Sequence, residues 1–180
     1  MKKIFAFLAV VSAFIFSPGA TRSPAVRIAP TAVASAAAAP ASSWLTIPAI
    51  DLAAFIQPVG TDPDGSMSVP TIPNTVGWYN GGTAPGAIGS AVLDAHVYLA
   101  FKNLKKMKVG SSIYVTESNG SQLHFVVQSI KNYYYTAVPL RKLFAANDAA
   151  RLNLITCAGK WLPAKGTYDH RLVVYAKLVG

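Results

Sequence analysis

The amino-acid sequence predicts a mostly β domain, folded as a closed or nearly closed barrel and preceded by a non-globular stretch. Two observations point there. From residue 44 onward the chain is a series of short apolar runs cut by clusters of Gly, Pro, Asn, Asp and Ser, the texture of strands joined by turns. Hydrophobic residues make up 52% of the 180 residues and charged ones only 13%. That supplies material for one real core and excludes a disordered protein.

The first segment is different in kind. Met1-Lys2-Lys3 precedes an apolar run over residues 4–16, which Pro18-Gly19 ends. A basic start and a short apolar stretch are the layout of a secretory signal. The run is shorter than the ~20 residues of a comfortable membrane span. Residues 1–20 are therefore expected to be a signal peptide or an amino-terminal membrane anchor, with cleavage near Ala20 or within Ala32-Val33-Ala34. Residues 21–43 are Ala, Pro and Ser with almost no large apolar side chains, and read as a linker. The expected location is extracytoplasmic, secreted or held at the membrane by the amino-terminal segment, with the folded domain over 44–180.

Within that domain, residues 44–50 and 52–59 read as the first strands, parted by Pro48 and Asp51. Residues 61–65 (TDPDG) form a turn, and 80–86 (NGGTAPG) a loop. Residues 87–96 read as a strand ending on His96. Residues 111–116 and 122–132 flank Asn119-Gly120, a hairpin signal. Residues 152–156 and 171–178 are the last strands. Helix is expected over 139–150 and, with a weaker pattern, over 98–107.

The formal net charge is +9, but residues 1–43 carry four basic side chains and no acid, leaving +5 on the rest. Such a balance suits work beside anionic lipid or wall polymer. The densest run, Lys102 to Lys108, lacks interleaved aromatic residues and any nucleic-acid motif, so a solvated basic face is the better reading and no nucleic-acid partner is expected.

The chain has one cysteine, which excludes an intramolecular disulfide and leaves either a buried inert thiol or a thiol with a task. A thiol attacks carbonyls as thiolate and needs a nearby cation or base and a group to hold the oxyanion. Candidates stand at strand ends: Cys157 after the run 152–156 and before Ala158-Gly159, His96 at the end of one strand, and Arg171 at the start of another. Each alone is as well explained by packing or surface charge. His124 lies in an alternating run and reads as an outward strand position, and His170 is a weak second candidate base. The three histidines are 28 and 46 residues apart, which matches no metal-ligand spacing.

Together the motifs resemble the sortase family. Leu154-Ile155-Thr156-Cys157 matches its L-x-T-C signature, Arg171-Leu172-Val173-Val174-Tyr175-Ala176 resembles its arginine-bearing last strand, and Ala91-Val92-Leu93-Asp94-Ala95-His96 resembles the strand that delivers its histidine. Ile47-Pro48-Ala49-Ile50 is similar to its first strand. Thr75-Val76-Gly77-Trp78-Tyr79, with Gly81-Gly82 and Ala84-Pro85-Gly86, resembles a segment of the actinobacterial-type class F and E members.

The resemblance implies an eight-stranded barrel carrying a cysteine transpeptidase. Cys157 would attack the Thr-Gly bond of an LPxTG-like sorting signal to form a thioester. His96 would act as acid and base, Arg171 would stabilise the substrate backbone or oxyanion, and Thr156 would shape the substrate site. An amine acceptor of cell wall or pilus would release the joined product, and no metal or organic cofactor would be needed. Val138, Pro139, Leu140, Leu143 and Phe144 are candidates to line a Leu-Pro pocket. The stretch 160–168, with Trp161 as lid or acceptor contact, is expected as a loop walling the site. Two departures stand out. Asp94-Ala95 precede His96 where the family has Gly next to the histidine, and the loop after His96 is short. Asp94 is expected to share a face with His96, most simply as a hydrogen-bonded structural carboxylate. The second class of function open to such a chain is a non-catalytic sortase-fold module that binds peptide or wall.

Overall fold

A computed structural model describes residues 43–179; the expected signal or anchor, and the expected linker up to residue 42, lie outside them, while Ser43, expected as the linker's last residue, begins the first strand. Eight strands close into one barrel: β1 Ser43–Ile47, β2 Leu52–Val59, β3 Val76–Tyr79, β4 Gly89–Asp94, β5 Ser112–Thr116, β6 Gln122–Tyr134, β7 Ala150–Leu162 and β8 Thr167–Leu178. Around the barrel the order is β1-β2-β3-β4-β7-β8-β6-β5, returning to β1. Two neighbour pairs, β2–β3 and β4–β7, are parallel. Parallel neighbours need crossover connections. The β4-to-β7 connection contains the β5–β6 hairpin and the one α-helix among the described residues, α1 at Leu140–Phe144.

Alternation along the strands sets the layers. Leu45, Ile47, Ala54, Ile56, Ala91, Leu93, Ile113, Val115, Phe125, Val127, Leu152, Leu154, Val174 and Ala176 point inward as one buried core. Their neighbours point out. Part of the outer face is also covered: Val92, Val173 and Tyr175 form a second buried cluster with Leu143 of α1, flanked by Met67, Val138, Phe144 and Ile155. Burial there pushes the Tyr175 phenol upward, with its hydrogen bond to the Tyr133 hydroxyl as the next cause.

Several expected boundaries move. Residues 48–50 form a 3₁₀ turn rather than a strand end, since Pro48 cannot donate to a ladder. The helix expected over 139–150 is only five residues long, and 98–107 is a set of turns closing on a 3₁₀ turn, Leu104–Lys106. Helices that short have little propensity to form alone, so packing decides them: Leu143 and Leu104 are buried anchors. The stretch 160–168 is not a loop. β7 and β8 run on as a hairpin whose turn is Pro163–Lys165.

Candidate active site

The chemistry-bearing residues gather on the outer face of β4, β7 and β8. In the β7–β8 register Cys157 is directly opposite Arg171, which places both side chains on one face of the sheet. In the parallel β4–β7 register Asp94 is opposite Ile155, one row along from Cys157. The chain leaves β4 at Asp94, yet alternation continues. Ala95 is buried in the core, and its carbonyl accepts a 2.6 Å hydrogen bond from the Thr156 hydroxyl. His96 follows it, two residues beyond the end of β4. It is half-buried, with the exposed Tyr98 ring stacked on it at 5.1 Å between centroids.

Arg171 is held by its own hairpin. Nη1 donates to the carbonyls of Tyr168 at 3.0 Å and His170 at 2.9 Å, and Nη2 donates to Thr167 Oγ1 at 2.9 Å. A guanidinium has five N–H donors. Two of them, on Nε and Nη2, have no protein partner among the described residues. The hairpin keeps its shape through Gly159, which has φ +81° at a bulge in β7. A Cβ at Gly159 would lie 2.0 Å from Asp169 Oδ1. That oxygen accepts from the Lys160 amide at 2.7 Å and meets His170 Nδ1 at 2.8 Å, and these bonds hold the Asp169 carboxyl below the usual carboxylate range. His170 registers with Ala158 and so faces away from the Cys157 row. His124 lies on β6 opposite Tyr114, against whose ring it stacks, with Nε2 3.0 Å from Ser112 Oγ.

Cys157 and Arg171 open into a groove of about 830 Å³. One wall is the segment before and within α1, with Val138, Leu140, Leu143 and Phe144. The opposite wall is the β2–β3 loop, with Asp62, Asp64, Met67 and Val69, and the floor is Tyr79, Asp94 and Ile155. The α1 wall is tied to the barrel by the fully buried Asn153, whose side-chain amide donates to the Leu143 carbonyl at 2.6 Å. Of the expected substrate contacts, Val138 and Leu140 line this groove. Thr156 does not: its side chain is 4% exposed and points into the barrel, where it braces the Ala95 carbonyl below His96. Trp161 sits farther out on the hairpin, 52% exposed and edge-on to Tyr168. His96 is not among the residues that line the groove.

Sequence reasoning missed the β2–β3 loop as a wall, because a polar turn gives no sign of what it folds over. It also misjudged Asp94. The expected hydrogen-bonded carboxylate instead has Oδ1 buried without a hydrogen-bond partner. Burial pushes its pKa up to about 7.

A lone thiol and a fixed guanidinium at facing strand positions, above a largely apolar groove on a closed eight-stranded barrel, define the class of protein: a β-barrel with a thiol-bearing surface groove. The sortase-domain family model matches residues 45–179, and the chain belongs to the sortase family. No curated protein matches it. Among solved structures it is similar to a lid mutant of sortase A from Corynebacterium diphtheriae, at 28% identity over 78% of this chain and 71% of that one, with a TM-score of 0.62. It is similar to sortase A of the same organism at 27% identity over 79% of this chain, with a TM-score of 0.58, and spans 62% of that protein. Sortase C2 of Group B Streptococcus pilus island 1 is 26% identical over 77% of this chain and 73% of that one, with a TM-score of 0.59.

Proposed function

We propose that the protein is a cysteine transpeptidase that cleaves an LPxTG-like sorting signal and joins the released protein to an amine of the cell envelope. The observation that carries this reading is the Cys157–Arg171 register pair at the mouth of an apolar groove. In the reaction, the Cys157 thiolate adds to the Thr carbonyl carbon, and the oxyanion draws on the two N–H groups that Arg171 leaves unused. The C–N bond to Gly breaks as His96 gives its proton to the departing amine, leaving a thioester. The acceptor amine then loses a proton to His96 and attacks the thioester, and the sulfur leaves as thiolate. Water is the slower acceptor. No step calls for a metal or organic cofactor.

Thr156 supports His96 from beneath, Val138 and Leu140 contact the Leu-Pro part of the signal, and Trp161 meets the acceptor side. The class F and E assignment rests on the segment 75–86, and the extracytoplasmic, membrane-side location on residues 1–20. No helix among the described residues is long and apolar enough to cross a membrane. The test is incubation with a quenched LPxTG peptide, reading cleavage and an acyl adduct by mass. Cleavage with an adduct on Cys157, both abolished by Cys157→Ala, is expected. Cleavage that survives Cys157→Ala overturns the assignment, and binding without any adduct replaces it with a non-catalytic peptide-binding module.

A further inference from the structure

Asp94 is the odd member of the groove floor. Tyr79 and Ile155 beside it, and Val138, Leu140, Leu143 and Phe144 on the α1 wall, present mainly hydrocarbon or ring faces. A carboxyl set among them forfeits hydration, and that cost is recovered only through a partner. Among the described residues Oδ1 has none. Nor is Asp94 a surface carboxylate that fell inward, because β3 makes room for it. Gly77 registers with Asp94, and a Cβ there would come within 2.7 Å of Oδ1. The carboxyl is seated by the fold, one row from the nucleophile: Oδ1 packs against Gly77, and Oδ2, which accepts no hydrogen bond among the described residues, is the oxygen left for something that enters the groove.

An extended peptide over Cys157 advances about 3.3 Å per residue. One row of the sheet floor, the distance from Cys157 to Ile155 and Asp94, thus corresponds to roughly two residues of substrate. We propose that Asp94 is a specificity-determining residue that selects sorting signals carrying a cationic side chain, Lys or Arg, within the three residues before the Thr at the scissile bond. This rests on the transpeptidase reading. A groove built to pair with an N–H donor rejects an analogue lacking it strongly, since the buried carboxyl is then left alone.

The charged and titratable groups around Asp94 fit this assignment. Cys157 comes from β7, Arg171 from β8, Tyr79 from β3 and Tyr135 from the turn after β6. His96 follows on its own chain. α1 carries Arg141 and Lys142, and the Lys142 ammonium lies over the Tyr175 ring at 4.4 Å. Asp62 and Asp64 face the groove from the β2–β3 loop, exposed to solvent and each with Oδ1 engaged by a neighbouring serine. Asp62 Oδ1 accepts from the Ser68 hydroxyl at 2.5 Å, and Asp64 Oδ1 accepts from the Ser66 amide at 2.9 Å and its hydroxyl at 2.6 Å. Arg171 is the one cation lining the groove among the described residues, and its three hydrogen bonds hold it to its own hairpin. A substrate cation thus has Asp94 to itself.

The test separates recognition from chemistry. Binding of LPxTG-type peptides, with Lys, Gln or Leu placed in turn at each of the three positions before Thr, is measured on the full chain carrying Cys157→Ala. One position is expected to favour Lys over Gln and Leu by tenfold or more at pH 8. That preference should shrink at pH 5.5, where Asp94 is protonated, and vanish in Asp94→Asn, which keeps the side chain's shape. Gly77→Ala, which displaces the carboxyl without altering it, should also weaken it. No Lys preference at any position, or one that survives Asp94→Asn, overturns the proposal. A failure of wild-type protein to form the Cys157 adduct would instead overturn the transpeptidase reading, leaving the binding result to stand by itself.

Discussion

Arg171 and Asp94 carry opposite charges in one groove, and the fold treats them in opposite ways. Arg171 is tied by three hydrogen bonds from its own hairpin before any substrate arrives. Asp94 is pressed against Gly77 with one oxygen buried and unpaired. A group fixed in advance has no reorganisation left to do when charge develops, as a stabiliser of an oxyanion requires. A group left unpaired discriminates, since its energy depends on what is put against it. On the proposed reading, Arg171 is the constant part of the groove and Asp94 the selective part.

The largest effect should come from the fixed side. Replacing Arg171 by Ala is expected to lower kcat/KM for peptide cleavage about 10²- to 10³-fold, the loss typical of an oxyanion donor. Arg171→Lys should recover little, because an ammonium cannot both bond two carbonyls and a hydroxyl and present two further N–H groups. Steady-state cleavage assays decide it. Full activity in Arg171→Lys would mean that bare positive charge suffices and that the hydrogen-bonded frame is incidental.

Much of this site was readable before the structure. The single cysteine after an L-x-T run and the arginine before the last strand were each visible, and strand periodicity was enough to put them on strands. Their pairing was not. It depends on β7 and β8 being antiparallel neighbours with a bulge at Gly159, a long-range register that no local pattern encodes. β3 was seen only as a family segment, because four residues ending in Trp-Tyr are too short for alternation to show. The helix expected over 139–150 shrank to one turn and a half because Ala-rich propensity yields to packing when only Leu143 has a socket. Asp94 was legible as a residue but not as an environment. Burial of one carboxylate oxygen is set by β3, which the sequence places only as far as the family segment goes.

A smaller effect should come from the selective side, and its sign is informative. Asp94 is protonated more readily in the folded chain, near pH 7, than in the unfolded chain, near 3.8, with burial as the cause. Between those values the folded state binds the extra proton, so stability falls as pH rises through that window. Asp94→Asn, whose amide never ionises, should therefore be more stable than wild type at pH 8, by roughly 1–3 kcal/mol. The gain should dwindle toward pH 4, as read by urea unfolding at several pH values. A constant difference across the range would mean that the carboxyl is solvated after all, and the contrast with Arg171 would lose its basis.

The smallest effect lies with an arginine that looks equally well held. Arg151 Nε donates to Asp148 Oδ1 at 2.9 Å, and its Nη2 reaches the other oxygen, a two-pronged pair of good geometry. That pair holds the Asp148 carboxyl below its ordinary range, so any stability it lends should be present at neutral pH and fade as pH falls through that lowered value. Yet Asp148 is open to solvent, with its side chain 65% exposed. Water solvates both ions nearly as well as they solvate each other, and ordering two long side chains offsets the rest. Asp148→Asn should leave the thermal midpoint unchanged within error at pH 7 and at pH 3, and leave cleavage unchanged too. A clear drop at pH 7 that disappears at pH 3 would show that paired geometry alone stabilises this fold. In that case the frame around Arg171 would have to be credited to stability as much as to catalysis.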